Sequence, residues 1–320
     1  MIWTGRTDGD GPEHARWHQR ISTDAPTGSH ISLLGFASDE GVRRNQGRQG
    51  AAAAPAELRR ALAPMALHHG IADGSVALHD LGDVAVEGED LEAGQAAMGH
   101  RIGDAMAAEG NVLTVVLGGG HETAWASYLG LTASGVVAGQ RWGVLNLDAH
   151  FDLRTAERPT SGTPFQQMAL AQSDAGEAFR YGVIGIAEPS NTGALFQRAD
   201  ELDVDYLFDV DCSTQRVSEF AENFIAGLDA VYLTIDLDVL PAAIAPGVSA
   251  PASLGVPARA IVGAVRTVAA SGKLRLMDVV ELNPKYDVDG RTAKLGARLI
   301  SEATACLPQV RPLRRPNRRY

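Results

Sequence analysis

The feature that most constrains the fold is a series of short, continuously apolar segments, separated by stretches long enough to form helices. Eight such segments occur along the chain: ISLLGF from Ile31, VALHDLG from Val76, NVLTVVLG from Asn111, WGVLNLD from Trp142, YGVIGI from Tyr181, VDYLFDV from Val204, VYLTIDLD from Val231 and LRLMDVVEL from Leu274. Continuous apolar runs of this length are typical of strands covered on both faces, because strands with one wet face alternate instead. The pattern predicts a three-layer α/β/α sandwich with a mainly parallel sheet of about eight strands.

No linker, repeat or shift in composition interrupts this series, so we predict a single domain over residues 1–310. The last ten residues, 311–320, are different because arginines alternate there with prolines. Five arginines lie in this segment: Arg311, Arg314, Arg315, Arg318 and Arg319. Proline interrupts any helix, so we predict a poorly ordered basic tail.

The overall charge is acidic, with 28 Lys and Arg against 39 Asp and Glu and a formal net charge of −11. Such a chain repels phosphate backbones and anionic membrane surfaces, which argues against nucleic acid and membrane partners. The sequence has no signal-peptide pattern and no apolar run long enough to cross a bilayer. Its two cysteines, Cys212 and Cys306, are too few for a disulfide framework or a thiolate zinc site. We therefore expect a cytoplasmic protein.

Potential metal ligands follow three of the predicted strands, where ligands of parallel sheets usually bind. One strand runs into GGGHE, a second into DAHFD, and a third ends in DLD. The six candidate ligands are His121, Asp148, His150, Asp152, Asp236 and Asp238. In an extended chain, residues two apart project to the same side, so the members of each cluster could face one point.

The chemistry of these six residues predicts two divalent ions. Four carboxylates and two imidazoles without a thiolate favour Mn(II), with Fe(II), Co(II) or Ni(II) as alternatives, over a structural zinc site. Four negative ligands balance the charge of two divalent ions, which a single ion would not do. A lone Asp at a strand end is more often a helix cap, but three clusters on one sheet favour metal binding. Such a pair of ions can lower the pKa of a water molecule towards neutrality, for attack on a carbonyl-like carbon.

A further carboxylate, Glu281 in VVELNP, ends the last apolar run. At this position it could transfer protons or bind the cationic end of a substrate. The alternative is a helix-capping or surface glutamate. We predict that Glu281 acts in catalysis.

Five motifs, in this order over most of the chain, resemble those of the ureohydrolase family of arginases, agmatinases and formimidoylglutamases: GGGHE, NLDAHFDLR, SGTPF, TIDLD and VVELNP. The resemblance implies a three-layer α/β/α fold, a binuclear manganese centre and hydrolysis of a guanidino or amidino C–N bond. It also implies that the six candidate residues are metal ligands, with Asp152 and Asp236 among those that contact or bridge both ions. Glu281 matches the carboxylate that binds the amidinium end of the substrate.

Two departures narrow the implied substrate. The proton-shuttling histidine of arginases and agmatinases is replaced by Ser161, and the aspartate usual after the last ligand pair is replaced by Pro241. Both departures resemble the formimidoylglutamases, as do WTGRTD, RWHQ, NQGRQGA, the Pro-Ser-Asn-Thr run from Pro189 to Thr192, and APGVSAP. The implied reaction converts N-formimidoyl-L-glutamate to L-glutamate and formamide, in histidine degradation. The proton for the departing amine would then come from Asp152 or a water molecule.

A substrate with an amidine head and two carboxylates also needs cations in this acidic protein. Arg154 lies two residues after Asp152, where relatives contact the carboxylate end of the substrate, and Arg48 lies in a Gly-flanked loop. We predict that both arginines and Ser161 bind substrate, although each arginine could instead form an internal ion pair.

Two rival functions stay open on the sequence alone. One is a ureohydrolase acting on a guanidino compound such as agmatine or guanidinobutyrate, and the other is a catalytically silent metal-binding protein on the same scaffold. Because relatives form hexamers or smaller assemblies, we also expect a homo-oligomer.

Overall fold

A computed structural model describes residues 2–311 of the chain. Nine strands in this part of the chain form one sheet, and every neighbouring pair of strands is parallel. The strands are β1 Ile21–Ser22, β2 His30–Ala37, β3 Ala77–Ala85, β4 Asn111–Leu117, β5 Trp142–Leu147, β6 Tyr181–Ile186, β7 Asp205–Phe208, β8 Ala230–Asp236 and β9 Leu274–Val280. Their order across the sheet is β1-β3-β2-β4-β9-β8-β5-β6-β7.

Helices cover both faces of this sheet. The helices are α1 Trp17–Arg20, α2 Glu40–Arg44, α3 Ala54–Leu62, α4 His69–Ala72, α5 Leu91–Ala107, α6 Thr123–Ala133, α7 Pro164–Asp174, α8 Gly193–Glu201, α9 Thr214–Ala226, α10 Ala258–Ala270 and α11 Arg291–Cys306. One hydrophobic core lies between the sheet and α3, α9, α10 and α11, and a second lies between the sheet and α5 to α8. The predicted three-layer α/β/α sandwich is therefore confirmed.

The central strands contribute side chains to both cores, which explains their unbroken apolar sequence. On β8, Val231, Leu233 and Ile235 enter one core, whereas Tyr232 enters the other. Successive residues of a strand point to opposite faces of the sheet. When helices cover both faces, both sets of side chains are buried, so apolar residues do not alternate with polar ones. All eight predicted strands are found, as β2 to β9. The ninth, β1, was missed because two residues are too few to produce a pattern.

The strand order brings distant parts of the sequence together. Strands β4 and β5 are consecutive in the sequence, but β9 and β8 lie between them in the sheet. The four neighbouring strands β4, β9, β8 and β5 run parallel, so their carboxyl ends lie at the same edge. The last residues of these strands and the segments that directly follow them contain all the predicted metal ligands and Glu281.

Two other predictions concern the extent of the chain. A single domain over residues 1–310 stays a prediction, with the nine strands forming one sheet in its support. Of the predicted basic tail, only Arg311 is described, and residues 312–320 lie outside the described part. Within residues 2–311, none of the helices combines the length and apolar character needed to span a bilayer.

A buried ion pair attaches α3 to the sheet and leads to a prediction about stability. Arg59 donates to both carboxylate oxygens of Asp80 on β3, at 2.8 and 2.9 Å, and both side chains are buried. Removing one partner of a buried pair leaves an uncompensated charge, which costs about 3–5 kcal/mol. We expect Arg59→Met to lower the free energy of unfolding at pH 7 by this amount, as measured by urea denaturation.

The same pair predicts how this difference depends on pH. Burial alone would raise the pKa of Asp80, but the hydrogen bonds from Arg59 hold that pKa below its ordinary value. Since the folded pKa lies below the unfolded one, the stabilisation is present above about pH 4 and is lost as the pH falls through the folded value. The difference between wild type and Arg59→Met should therefore narrow below about pH 4. The matched control is Arg60→Met, which removes an exposed pair with Glu57 and should cost under about 1 kcal/mol. Equal losses in the two variants would contradict the prediction.

Candidate metal centre and substrate cavity

The first half of the candidate metal centre is built around His121, which follows β4. Its Nδ1 atom lies 3.1 Å from Asp148 Oδ2, 3.0 Å from Asp152 Oδ2 and 3.2 Å from Asp236 Oδ2. The preceding glycines allow β4 to end this close to β2, because a Cβ at Gly119 would lie 1.8 Å from the carbonyl oxygen of Ser38. Three carboxylates and one imidazole nitrogen thus surround one point.

The second half of the centre is built around His150. Its Nδ1 atom lies 3.1 Å from Asp238 Oδ2 and 3.5 Å from Asp148 Oδ1. Asp148 thus belongs to both halves, with one carboxylate oxygen near each histidine. Asp152 shares the group of Asp148 and His121. That Asp152 and Asp236 are among the residues that contact or bridge both ions, as the family resemblance implies, stays a prediction.

The predicted ligands converge, but not by the alternation of an extended strand that we had expected. Strand β5 ends at Leu147, and the chain then turns, with Asp152 at a positive φ of 48°. Asp238 lies in a short 3-10 helix, and its backbone N–H donates to Asp236 Oδ1 at 2.8 Å. The backbone N–H of His150 donates in the same way to Asp148 Oδ1 at 2.7 Å. Tight turns capped by the carboxylates themselves direct these side chains to one region.

The donor atoms fit a bound cation. His121 Nε2 lies 3.0 Å from Thr234 Oγ1, so the tautomer with the proton on Nε2 has a hydrogen-bond partner there and leaves the Nδ1 lone pair free. Nδ1 is buried and, among residues 2–311, has no hydrogen-bond partner, yet three carboxylate oxygens surround it. Lone pairs and negative charges this close repel one another unless a positive charge lies between them. The donor set contains only oxygen and nitrogen, which suits Mn(II).

The electrostatics of the cluster lead to the same conclusion. Burial and the charge of Asp148 raise the pKa of Asp152, and burial with the charges of Asp238 and Asp148 raises that of Asp236. Burial would lower the pKa of His121, but its carboxylate neighbours raise it well above the ordinary value. The cluster therefore takes up positive charge, as protons or as metal ions, and divalent ions supply more charge per site.

Glu281 lies beside the metal centre at the end of β9. Its Oε1 atom accepts a hydrogen bond from the backbone N–H of His121 at 2.8 Å, while Oε2 is buried and has no partner among the described residues. Burial and the nearby carboxylate of Glu122 raise the pKa of Glu281 to about 8. Glu281 has a positive φ of 65°, which costs about 1–3 kcal/mol for a residue with a side chain. An unused carboxylate oxygen in a strained backbone position is typical of a functional residue.

A cavity of about 120 Å³ opens onto the cluster. Its lining combines the acidic side chains of the metal centre and Glu281 with Arg154 and small polar side chains. The lining residues are Asn45, His121, His150, Asp152, Arg154, Ser161, Asp236, Asp238, Ser249, Ala250 and Glu281. Arg154 and Ser161 therefore lie beside the centre as predicted, and no ion pair or side-chain hydrogen bond of Arg154 is found within residues 2–311. The alternative of an internal ion pair for Arg154 is not seen there.

Arg48 has a different environment from the one predicted. Its guanidinium group donates to the backbone carbonyls of Ser249, at 2.9 Å, and Val248, and it stacks on the ring of Tyr286 at 4.1 Å. Arg48 is not part of the cavity lining. Arg48 binds the segment that carries Ser249, and Ser249 lines the cavity. Arg48 could therefore affect a substrate only indirectly, by positioning Ser249.

Sequence reasoning missed two polar residues of the cavity, Asn45 and Ser249. Asn45 donates to Ser161 Oγ at 3.2 Å, and Ser249 Oγ accepts from the backbone N–H of Arg48 at 2.9 Å. Both belong to motifs that contributed to the resemblance, NQGRQGA and APGVSAP. Uncharged loop residues carry no periodic or charge signal, so only the motifs could have indicated them.

A profile of the arginase family matches residues 29–306. The chain belongs to the arginase family. This confirms the resemblance inferred from the motifs. Among curated relatives, a formimidoylglutamase of Nocardia farcinica is 52% identical over 301 residues, which cover 93% of this chain and 94% of the relative. A formimidoylglutamase of Chromobacterium violaceum is 47% identical, over 93% of this chain and 95% of the relative.

Solved structures share the arginase fold of this chain. A formimidoylglutamase of Bacillus subtilis superposes with a TM-score of 0.79 at 21% identity, over 92% of this chain and 93% of its own. A formiminoglutamase of Trypanosoma cruzi, solved with Mn2+, gives a TM-score of 0.77 at 24% identity, over 88% and 95% of the two chains. At these identities the likeness concerns the fold alone.

Proposed function

We propose that this arginase-family chain is a manganese-dependent formimidoylglutamase, which hydrolyses N-formimidoyl-L-glutamate to L-glutamate and formamide in histidine degradation. The observation that carries the proposal is the composition of the cavity lining, which combines an acidic cluster and Glu281 with the guanidinium group of Arg154. The substrate has matching ends, because its amidine is cationic when protonated and its two carboxylates are anionic. Curated relatives at 52% and 47% identity carry the same name.

The residues that would hold the two ions follow from the geometry. His121, Asp148, Asp152 and Asp236 would hold one, and Asp148, His150 and Asp238 the other, with Asp236 added to the second set by the family resemblance alone. When bound, the ions would supply Lewis-acid activation of a water molecule and stabilise negative charge that develops in the transition state. The formiminoglutamase of Trypanosoma cruzi has been solved with Mn2+.

Glu281 would bind the head of the substrate. Its Oε1 atom is held by the backbone N–H of His121, so Oε2 is left to accept a hydrogen bond from the amidinium group. This contact would orient the formimidoyl carbon next to the acidic cluster. A cation so close would lower the pKa of Glu281 from about 8 and favour the carboxylate form.

Asp152 is the group that we propose for proton transfer. Addition of water to the formimidoyl carbon releases a proton, and cleavage of the C–N bond requires a proton on the departing glutamate nitrogen. Asp152 lines the cavity, and its Oδ2 atom lies 3.0 Å from His121 Nδ1, so its other carboxylate oxygen can hold the proton between the two events. Ser161, which replaces the histidine of arginases, has no group that titrates near neutral pH.

Arg154 and the hydroxyl groups of Ser161 and Ser249 would bind the carboxylate end of the substrate. Guanidinium groups bind carboxylates with two parallel hydrogen bonds, which fixes the orientation of the ligand. We propose that Arg48 contributes indirectly, by holding the segment that presents Ser249.

A substrate panel with added Mn(II) tests this proposal directly. We expect formamide release from N-formimidoyl-L-glutamate and no urea release from arginine, agmatine or guanidinobutyrate. Urea release without formamide release would identify a guanidino hydrolase instead. A protein that binds Mn(II) and turns over none of these compounds would be a metal-binding protein without this activity.

The proposed role of Arg154 predicts a change mainly in KM. An ion-paired hydrogen bond contributes about 1.5–3 kcal/mol, so Arg154→Met should raise KM for N-formimidoyl-L-glutamate by about 10- to 100-fold with little change in kcat. Steady-state kinetics on the purified variant measures both constants. A formimidoylated alkylamine without carboxylates is the matched control, because Arg154→Met should not weaken its turnover. An equal loss with both substrates would contradict a role in carboxylate binding.

We also propose that the enzyme acts as a homo-oligomer in the cytoplasm on its small-molecule substrate, with neither nucleic acid nor membranes as partners. The family resemblance supports assembly, and the net charge of −11 disfavours anionic polymers and surfaces. Light scattering of the purified protein measures the assembly size.

A further inference from the structure

The starting point is the side of His121 that faces away from the cavity. Its Nε2 atom lies 3.0 Å from the hydroxyl oxygen of Thr234 on β8, and both residues are buried. This contact decides which ring nitrogen carries the proton. If Nε2 carries it, the Nδ1 lone pair is free for a cation. If Nδ1 carried it instead, an N–H group would point at the position where a cation has to bind.

A threonine hydroxyl cannot decide between these tautomers by itself, because it both donates and accepts hydrogen bonds. It could accept from Nε2–H, or it could donate to a deprotonated Nε2. Its own hydrogen therefore needs a second partner that only accepts. An ionised carboxylate is such a partner, since it has no hydrogen to give.

Asp278 on β9 is that partner. It is the register partner of Thr234 across the two parallel strands, so the two side chains lie next to each other on the same face of the sheet. Asp278 is completely buried, and its Oδ2 atom accepts hydrogen bonds from Ser127 Oγ, at 2.7 Å, and from the Tyr232 hydroxyl. Its other oxygen, Oδ1, is buried and has no hydrogen-bond partner among the described residues.

The environment of Asp278 is unusual for a group with only a packing role. No Lys or Arg within residues 2–311 pairs with it, and burying a carboxylate without an ion pair is costly. An apolar side chain would fill the same space between β8, β9 and α6 at lower cost. The presence of a carboxylate therefore indicates a function that needs a negative charge or a group that only accepts hydrogen bonds.

We propose that Asp278 is a positioning residue for the metal centre, which acts through Thr234 to keep the Nδ1 lone pair of His121 directed at the cation. Thr234 donates to Asp278, accepts from His121 Nε2–H, and so fixes the neutral tautomer that can bind metal. The inference rests on the proposed metal centre, and it concerns the ion on the His121 side only. His150 lies outside this chain of contacts.

The test is the Mn(II) affinity of metal-free protein, measured by titration calorimetry and by the electron paramagnetic resonance of the bound Mn(II) pair. Thr234→Val keeps the shape of the side chain and removes the hydroxyl, whereas Thr234→Ser keeps the hydroxyl. We expect Thr234→Val and Asp278→Asn to weaken one ion by about 10- to 100-fold, a typical effect of removing such a supporting contact. The second ion should bind as in the wild type, and Thr234→Ser should retain both affinities.

Ser127→Ala provides the matched control, because it removes a donor to Asp278 without altering the link to His121. It should bind both ions normally, even if its melting temperature falls. Wild-type affinity for both ions in a folded Thr234→Val protein would overturn the inference. This test does not require the Asp278→Asn protein to fold. A wild-type protein that binds no Mn(II) pair would instead refute the proposed function, so the two failures are distinguishable.

Discussion

Asp148→Ala is expected to lose both metal ions and to lower kcat/KM by at least about 10³-fold, because water activation and charge stabilisation would be lost together. Asp148 is the aspartate with one oxygen beside each histidine, at 3.1 Å from His121 Nδ1 and 3.5 Å from His150 Nδ1. Its removal therefore opens both halves of the centre, whereas loss of Asp152 or Asp238 would open one. Metal content after dialysis and steady-state kinetics measure the two effects.

Thermal unfolding separates loss of the ions from loss of the fold. A ligand that binds the folded state raises the melting temperature, so Mn(II) should stabilise the wild type and have no such effect on Asp148→Ala. Without metal, the variant should not be much less stable, because it also relieves repulsion among buried carboxylates. Asp104→Ala, at an exposed position on α5, is the control and should behave as the wild type. Full activity of Asp148→Ala would refute the metal centre.

Glu281→Gln is expected to retain both ions but to lower kcat/KM by about 10²- to 10³-fold, the loss typical for one preorganised electrostatic group. Glutamine keeps the size of the side chain, and its carbonyl oxygen can still accept from the backbone N–H of His121. What it loses is the negative charge that would face the amidinium group of the substrate. Formamide release and bound manganese, measured on the same preparation, give both quantities.

Two outcomes would change the role assigned to Glu281. Loss of manganese together with activity would make it part of the support of the metal centre, because its contact with His121 would then matter for ligand geometry. Activity close to that of the wild type would show that the amidinium group is bound elsewhere. The raised pKa of about 8 describes the carboxyl group without a neighbouring cation. Mn(II) bound nearby would lower it, so the variant should be compared with the wild type in the presence of Mn(II).

The environments of the two arginines show what a sequence pattern cannot predict. Arg154 and Arg48 were both candidates for carboxylate binding, since Arg154 follows the predicted ligand Asp152 and Arg48 lies in a Gly-flanked loop after the first strand. In the structure, Arg154 lines the cavity, and Arg48 binds backbone carbonyls of the segment around Ser249. Whether an arginine is available depends on which carbonyls and rings fold against it, and these belong to segments about 200 residues away in the chain.

The sequence by itself determined the class of fold and the residues that we propose as metal ligands. Unbroken apolar segments require burial on both faces, and that is possible only in a sheet covered on both sides by helices. Polar residues directly after such strands can lie only at the carboxyl edge of the sheet, so their types alone indicated a site with oxygen and nitrogen ligands for a metal. These are local properties, which a short window of sequence contains.

Only the tertiary structure decided that the ligands meet. Strands β8 and β9 come last in the chain but insert between β4 and β5, which brings Asp236 and Glu281 next to His121 and Asp148. Strand order depends on the packing of helices against the whole sheet, whereas the apolar pattern of a strand is the same whichever neighbour it pairs with. The direction of His121 Nδ1 likewise depends on Thr234, which only the pairing of distant strands brings close to it.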